Sequence, residues 1–149
     1  MNSFVKIIST VFYSGYFPKM PGTFGTLIGA VFYYFVAVYF LPSSIEFCFI
    51  ALIIILISIV FSHYAIKIFS AKDPNVVVID EVAGFFVTML FVPFSILNLA
   101  MGFLLFRLFD VWKPLFVKDC EKLRGGLGIT MDDVAAGILA NLCLRIIIF

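Results

Sequence analysis

The stretch FCFIALIIILISIVF, residues 47–61, contains no charged side chain and decides the class of fold. Read on from Phe47 to about Phe69, it exceeds the roughly 20 residues that a helix needs to cross hydrocarbon. Ser62, His63 and Lys67 lie at its far end, so that end must face water or protein. A second uncharged segment, from about Thr23 to Leu41, ends in Tyr33, Tyr34 and Tyr39, as interfacial aromatic belts do. The whole chain of 149 residues is 64% apolar and 13% charged, with 20 Phe. A soluble domain of this length has too little polar surface to cover such a content, and the same composition excludes intrinsic disorder. A net charge of +1 without any basic tract excludes nucleic-acid binding. The three cysteines fit neither a disulfide framework nor a metal-binding pair. A small polytopic membrane protein remains, with one domain over residues 1–149.

The other spans follow from charge. The run Val5–Phe12 is short, and Gly15–Gly22 after it carries two prolines and a lysine, which does not fit a cleaved signal. Phe4, Ile7, Ile8, Val11 and Phe12 have helical spacing, predicting an N-terminal interfacial helix. The segment Val82–Phe109 is broken by VPFSILN, with Pro93 and Asn98 at the break. One kinked helix or two short antiparallel ones satisfy it equally. Lys19, Lys67, Lys72, Arg107, Lys113, Lys118, Lys122 and Arg124 lie in or beside three connecting segments, whereas the turns LPSSIE and VPFSILN carry no Lys or Arg. The positive-inside rule then puts the three basic segments in the cytoplasm and requires two short helices. Each is thin for a bilayer, so local thinning or a re-entrant pair is expected. A last span runs from about Asp132 to Phe149, with Arg145 able to snorkel. The expected fold is all-α: about five membrane helices, two of them short, plus the interfacial helix.

Of nine acidic residues only Glu46 falls in an outer turn. Asp73, Asp80, Glu81, Asp110, Asp119, Glu121, Asp132 and Asp133 all fall on the cytoplasmic side, several at helix ends, where carboxylates are costly unless paired with a cation or metal. Three patches concentrate the polar residues. In FPKMPGTFGT (Phe17–Thr26), Thr23 or Thr26 can cap the first span, whose opening turn offers N–H groups to an anion. The mundane reading is a cap followed by a packing face, since Gly25-x-x-x-Gly29 matches the small-residue contact pattern. In DPNVVVIDEVAG (Asp73–Gly84), Asp80 and Glu81 open a helix, and a cap needs only one of them. In the third, Arg107, Asp110 and Lys113 are spaced three apart on one helix face, an ordinary ion triplet if taken alone. Gly125, Gly126 and Gly128 form a flexible loop before Thr130-x-x-Asp133, a capping pattern that leaves Asp132 over. Together, topology brings Asp80, Glu81, Asp110, Asp132 and Asp133 to one membrane face, with Arg107, Lys113 and Lys19 near them. Hard oxygen ligands suit Mg²⁺, and Arg and Lys suit phosphate, so the assembly fits phosphoryl chemistry on a lipid headgroup.

PKMPGTFGT, VVIDEVAG, FRLFDVWKP and GGLGITMDDVAAG, in this order across Ser14–Asn141, resemble the phosphatidylglycerophosphatase A family of bacterial membrane enzymes. The resemblance implies Mg²⁺-dependent removal of the terminal phosphate of phosphatidylglycerophosphate, at the cytoplasmic face of the bacterial inner membrane. It carries the acidic motif residues, as catalytic or metal-binding groups, to Asp80, Glu81, Asp110, Asp132 and Asp133. The basic ones map to Arg107 and Lys113, and the Pro-Gly-Thr turn to Pro21, Gly22 and Thr23; Lys19 and Thr26 join as substrate-binding candidates. His63 occupies a polar helix end, where a histidine facing other helices is an equal reading. Arg124 stands where some relatives carry histidine, so no general acid is expected there. No C-x5-R loop and no D-x-D pair is present, and a single histidine argues against a histidine phosphoenzyme. Two readings compete. A small cation transporter or channel subunit would need acids along its spans, and a purely structural subunit leaves the excess carboxylates unexplained.

Overall fold

The computed structural model describes residues 2–71, 74–114, 116–120 and 122–149. Lys72, Asp73 and Glu121, counted above among the cytoplasmic charges, lie outside the described residues. Those residues form seven α-helices and no strand. Helix α1 (Asn2–Ser9) is amphipathic and lies on α3, where Phe4 meets Phe61 edge-on and Lys6 stands over the Phe69 ring. Helix α2 (Pro21–Phe35) runs on through a wide turn to Phe40, and α3 (Ser44–Phe69) returns. These two are long and apolar enough to cross a membrane. The α3 start is a capping box in which the Ser43 side chain accepts from the Glu46 N–H while Glu46 accepts from the Ser43 N–H.

The segment after Ile79 forms two helices, α4 (Ile79–Thr88) and α5 (Ile96–Trp112), with Pro93 in the connection. Pro93 has no N–H to give a helix, and Ser95 starts the next one by accepting from the Asn98 N–H. Asn141 of α7 donates to the carbonyls of Thr88 and Leu90, closing the end of α4. A short helix, α6 (Val117–Cys120), precedes α7 (Gly126–Ile148).

The short α4 is the centre of the bundle, packed by α2, α3, α5 and α7 with nearly every residue buried. Its ten residues reach only roughly 15 Å at 1.5 Å per residue. Two expectations need correction. Helix α7 begins at Gly126, not near Asp132. Gly126 and Gly128 are therefore helical, and Thr130 is no cap: its hydroxyl shares a buried 2.8 Å hydrogen bond with Ser58 of α3. Thr23 and Thr26 do not cap α2 either. The N-cap position is Met20, without a side-chain bond, and the Thr26 hydroxyl donates back to the Gly22 carbonyl.

Small residues set the closest approaches. In lipid, helix association depends on van der Waals fit more than on expelling water, so backbones must come near one another. Gly25 and Gly29 of α2 face Val78 and Val82, and Gly137 of α7 rests on the carbonyl of Gly84. Around these contacts Tyr33, Phe47, Phe85, Phe86, Met89, Phe106 and Leu144 fill the interior. Long helices alternate in direction, so the ends near residues 21, 69, 79, 112 and 126 gather at one end of the bundle.

Candidate active site

At that end a cavity of about 420 Å³ opens between the start of α2, the start of α4, the end of α5 and the first turns of α7. Its position follows from the glycine contact beneath it. Asp80 and Gly84 are four apart on α4, and Asp133 and Gly137 are four apart on α7, so each pair lies on one helix face. Where Gly137 meets the Gly84 backbone, the carboxylates one turn along must meet too. Asp80, Glu81 and Asp133 each offer an oxygen within 4.8 Å of the others. Asp80 and Asp133 are buried, and Glu81 is half-buried. Glu81 Oε2 and Asp133 Oδ2 are out of water and accept no hydrogen bond among the described residues. Three carboxylates in such a place repel one another and have lost hydration, so a cation between them is what would hold them charged together.

Cations border the same space. Arg107 is paired with Asp110, one turn along α5. Lys113 ends α5 in a left-handed conformation with φ 47°, which turns its side chain toward α7, and its Nζ lies 2.6 Å from Asp132 Oδ2. The intrahelical triplet read from the sequence is thus a pair, and the third member reaches another helix. Gly22 has a reason to be glycine: a Cβ there would collide with Glu81 Oε1 and stand 3.1 Å from an Arg107 nitrogen.

Asp80, Glu81, Arg107, Asp110, Lys113, Asp132 and Asp133 all line this cavity, with Pro21 and Gly22. Lys19 does not; it is exposed, in a left-handed turn with φ 73°. Thr23 and Thr26 also lie off the lining, although the Thr23 hydroxyl is buried and has no hydrogen-bond partner among the described residues. His63 is exposed beside Gly125 and Gly126 and takes no part in the lining. Asn75, Met20 and Val111 line the cavity without having been singled out as site residues. A loop asparagine and two apolar residues beside charged motifs carry no chemical signature of their own.

A family model described as Phosphatidylglycerophosphatase A matches residues 7–148. A Bacteroides thetaiotaomicron protein provisionally named phosphatidylinositol-3-phosphatase is 35% identical over 146 residues, covering 94% of this chain and 91% of its own. Proteins named phosphatidylglycerophosphatase A from Escherichia coli and Haemophilus influenzae are each 31% identical. They cover 90% and 91% of this chain, and 77% and 83% of their own lengths. No solved structure matches the chain.

Proposed function

Because this chain belongs to the phosphatidylglycerophosphatase A family and is a phosphatase, we propose that it converts phosphatidylglycerophosphate to phosphatidylglycerol and inorganic phosphate. The observation that carries the reading is one cavity with an all-oxygen carboxylate trio on one wall and Arg107 and Lys113 on another. The trio fits Mg²⁺: its donors are hard oxygens, and Glu81 Oε2 and Asp133 Oδ2 have no hydrogen-bond partner among the described residues. Asp80, Glu81 and Asp133 would hold the ion, which when bound supplies Lewis-acid polarisation of the phosphoryl group.

The protein's own groups do the rest. Arg107 and Lys113 neutralise the non-bridging phosphate oxygens as charge develops on them. Asp110 and Asp132 are occupied with these two cations, and we assign them to holding the cations in place. Asp110, a cavity carboxylate outside the metal set, takes the proton of the attacking water in addition to holding Arg107. Oxygen-18 water followed through a single turnover tests this: label found first in the protein would mean direct attack by a carboxylate.

The membrane arrangement supports the substrate class. Lys19, Lys67, Arg107, Lys113, Lys118, Lys122 and Arg124 lie at the cavity end of the bundle, as the positive-inside rule requires of a cytoplasmic face. Five crossing helices, α2 to α5 and α7, in the inner membrane then present the cavity to headgroups of the inner leaflet. A cation-transport role is unsupported: among the described residues, Asp80, Glu81, Asp110, Asp132 and Asp133 gather in one cavity at one end of the bundle.

Phosphate release by the purified protein from phosphatidylglycerophosphate, with and without EDTA, tests the proposal. Release abolished by EDTA and restored by Mg²⁺ is expected; no release from this lipid overturns it. The 35% identity to the Bacteroides protein makes phosphatidylinositol 3-phosphate the second lipid to assay, since both are phosphomonoesters. Preferential hydrolysis of the inositol lipid would reassign the substrate and leave the chemistry intact.

A further inference from the structure

The rim of the cavity has two unlike sides. Asn75, exposed in the loop before α4, forms a polar side. Met20 at the start of α2, 64% exposed, and Val111 at the end of α5, 71% exposed, line the same cavity and are apolar. Trp112, 68% exposed, is the next residue after Val111. Below this lip α5 carries Leu104 and Leu108, both exposed and on one stripe with Val111, and α2 carries exposed Leu27 and Val31. The apolar outer surface of the bundle therefore runs without a break into a charged cavity.

Resting on the phosphatase reading, we infer that Met20 and Val111 flank a lateral portal through which a glycerophospholipid enters from its leaflet. The phosphomonoester reaches Arg107 and Lys113 while the acyl chains stay outside, against the α5 stripe and Trp112. Matching polarity supports this occupant. The phosphomonoester suits Arg107 and Lys113 together with the ion that the carboxylate trio would hold, and hydrocarbon suits the lip and the stripe. Access over the Asn75 side would require lifting both chains out of hydrocarbon, whereas the portal leaves them there. The Asn75 side is then the exit for released phosphate.

Trp112 is the chain's one tryptophan, so its emission reports on the lip in the unmodified full-length protein. In detergent micelles, phosphatidylglycerophosphate with acyl chains brominated near the glycerol should quench Trp112 saturably, and excess unbrominated lipid should reverse it. Brominated phosphatidylcholine at equal amount should quench it weakly. A Trp112→Phe, Phe40→Trp variant, with its reporter at the opposite end of the bundle, should show no preference between the two lipids. Equal quenching of Trp112 by both lipids, in protein that releases phosphate, overturns the portal and leaves the phosphatase reading standing. Selective quenching without phosphate release sustains the portal and sinks the hydrolytic reading.

Discussion

Asp133 shows how main chain and side chain share one task. Its carbonyl packs on Gly84, where a Cβ would come within 2.6 Å, and its carboxylate meets Asp80 and Glu81. Removing charge from the trio without changing its size isolates that second role. Asp80→Asn should therefore lower Mg²⁺-dependent phosphate release by at least about 100-fold, while membrane expression and thermal stability stay unchanged. Near-normal turnover at raised Mg²⁺ would remove Asp80 from the metal set. Lys113 acts on the other wall. Lys113→Ala should cost kcat on the order of 10²–10³-fold, as loss of one preorganised cation at a developing charge does. Asp132→Asn removes only its anchor, so a smaller loss of roughly 10–100-fold is expected, with KM rising as well. Equal losses in the two variants would mean that Asp132 touches the reacting groups itself. These residues were legible because each is a charge in an apolar chain. The division of labour among them was not, since it depends on which oxygen faces which neighbour.

Helix–helix contacts decide whether the carboxylates meet. The crossing of α4 and α7 rests on Gly84 and Gly137, and a Cβ at Gly137 would collide with the Gly84 carbonyl, which cannot swing aside as a side chain can. Gly137→Ala should push α7 away from α4 and spread the trio one turn along. A misplacement of about 1 Å can cost on the order of 100-fold in rate. The expected outcome is such a loss with raised Mg²⁺ demand, accompanied by destabilisation of about 1–3 kcal/mol in a thermal melt. Unchanged Mg²⁺ dependence would separate the glycine contact from the site. Apolar runs and charge placement identified the long helices, missed the four-residue α6 and misplaced one boundary. The motif Thr130-x-x-Asp133 has the form of a helix start, yet α7 is already formed there because Ser58 on α3 gives Thr130 a partner across the bundle. A local capping pattern cannot reveal a partner 72 residues away. Pro93 was read correctly as a break, because the missing N–H is a local fact that tertiary packing does not undo.

At the scale of the whole molecule, charge counting and packing answer different questions. Lys and Arg in the connections indicated which helix ends lie together, and this gathered the acids of three separated segments at one end of the bundle. It could not reveal that α4, only ten residues long, would be encased by four other helices, because side-of-membrane rules say nothing about lateral neighbours. That enclosure lets a ten-residue helix hold two acids beside its packed core: the carbonyls at its C-terminal end are met by Asn141, and its carboxylates line the cavity. The arrangement commits the chain to one parity of crossings, with the α2–α3 and α4–α5 turns on the side opposite the cavity. Cysteine placement in a background with Cys48, Cys120 and Cys143 replaced by Ala tests it directly. Ser44→Cys and Leu97→Cys, both exposed at the far end, should react with a membrane-impermeant maleimide added to intact spheroplasts. Lys122→Cys, exposed beside α6, should react only after the membrane is opened. If Lys122→Cys were labelled in intact spheroplasts and the other two protected, the cavity would open to the outside. The Lys and Arg residues around it would then be on the wrong side for the headgroups that the site is proposed to serve.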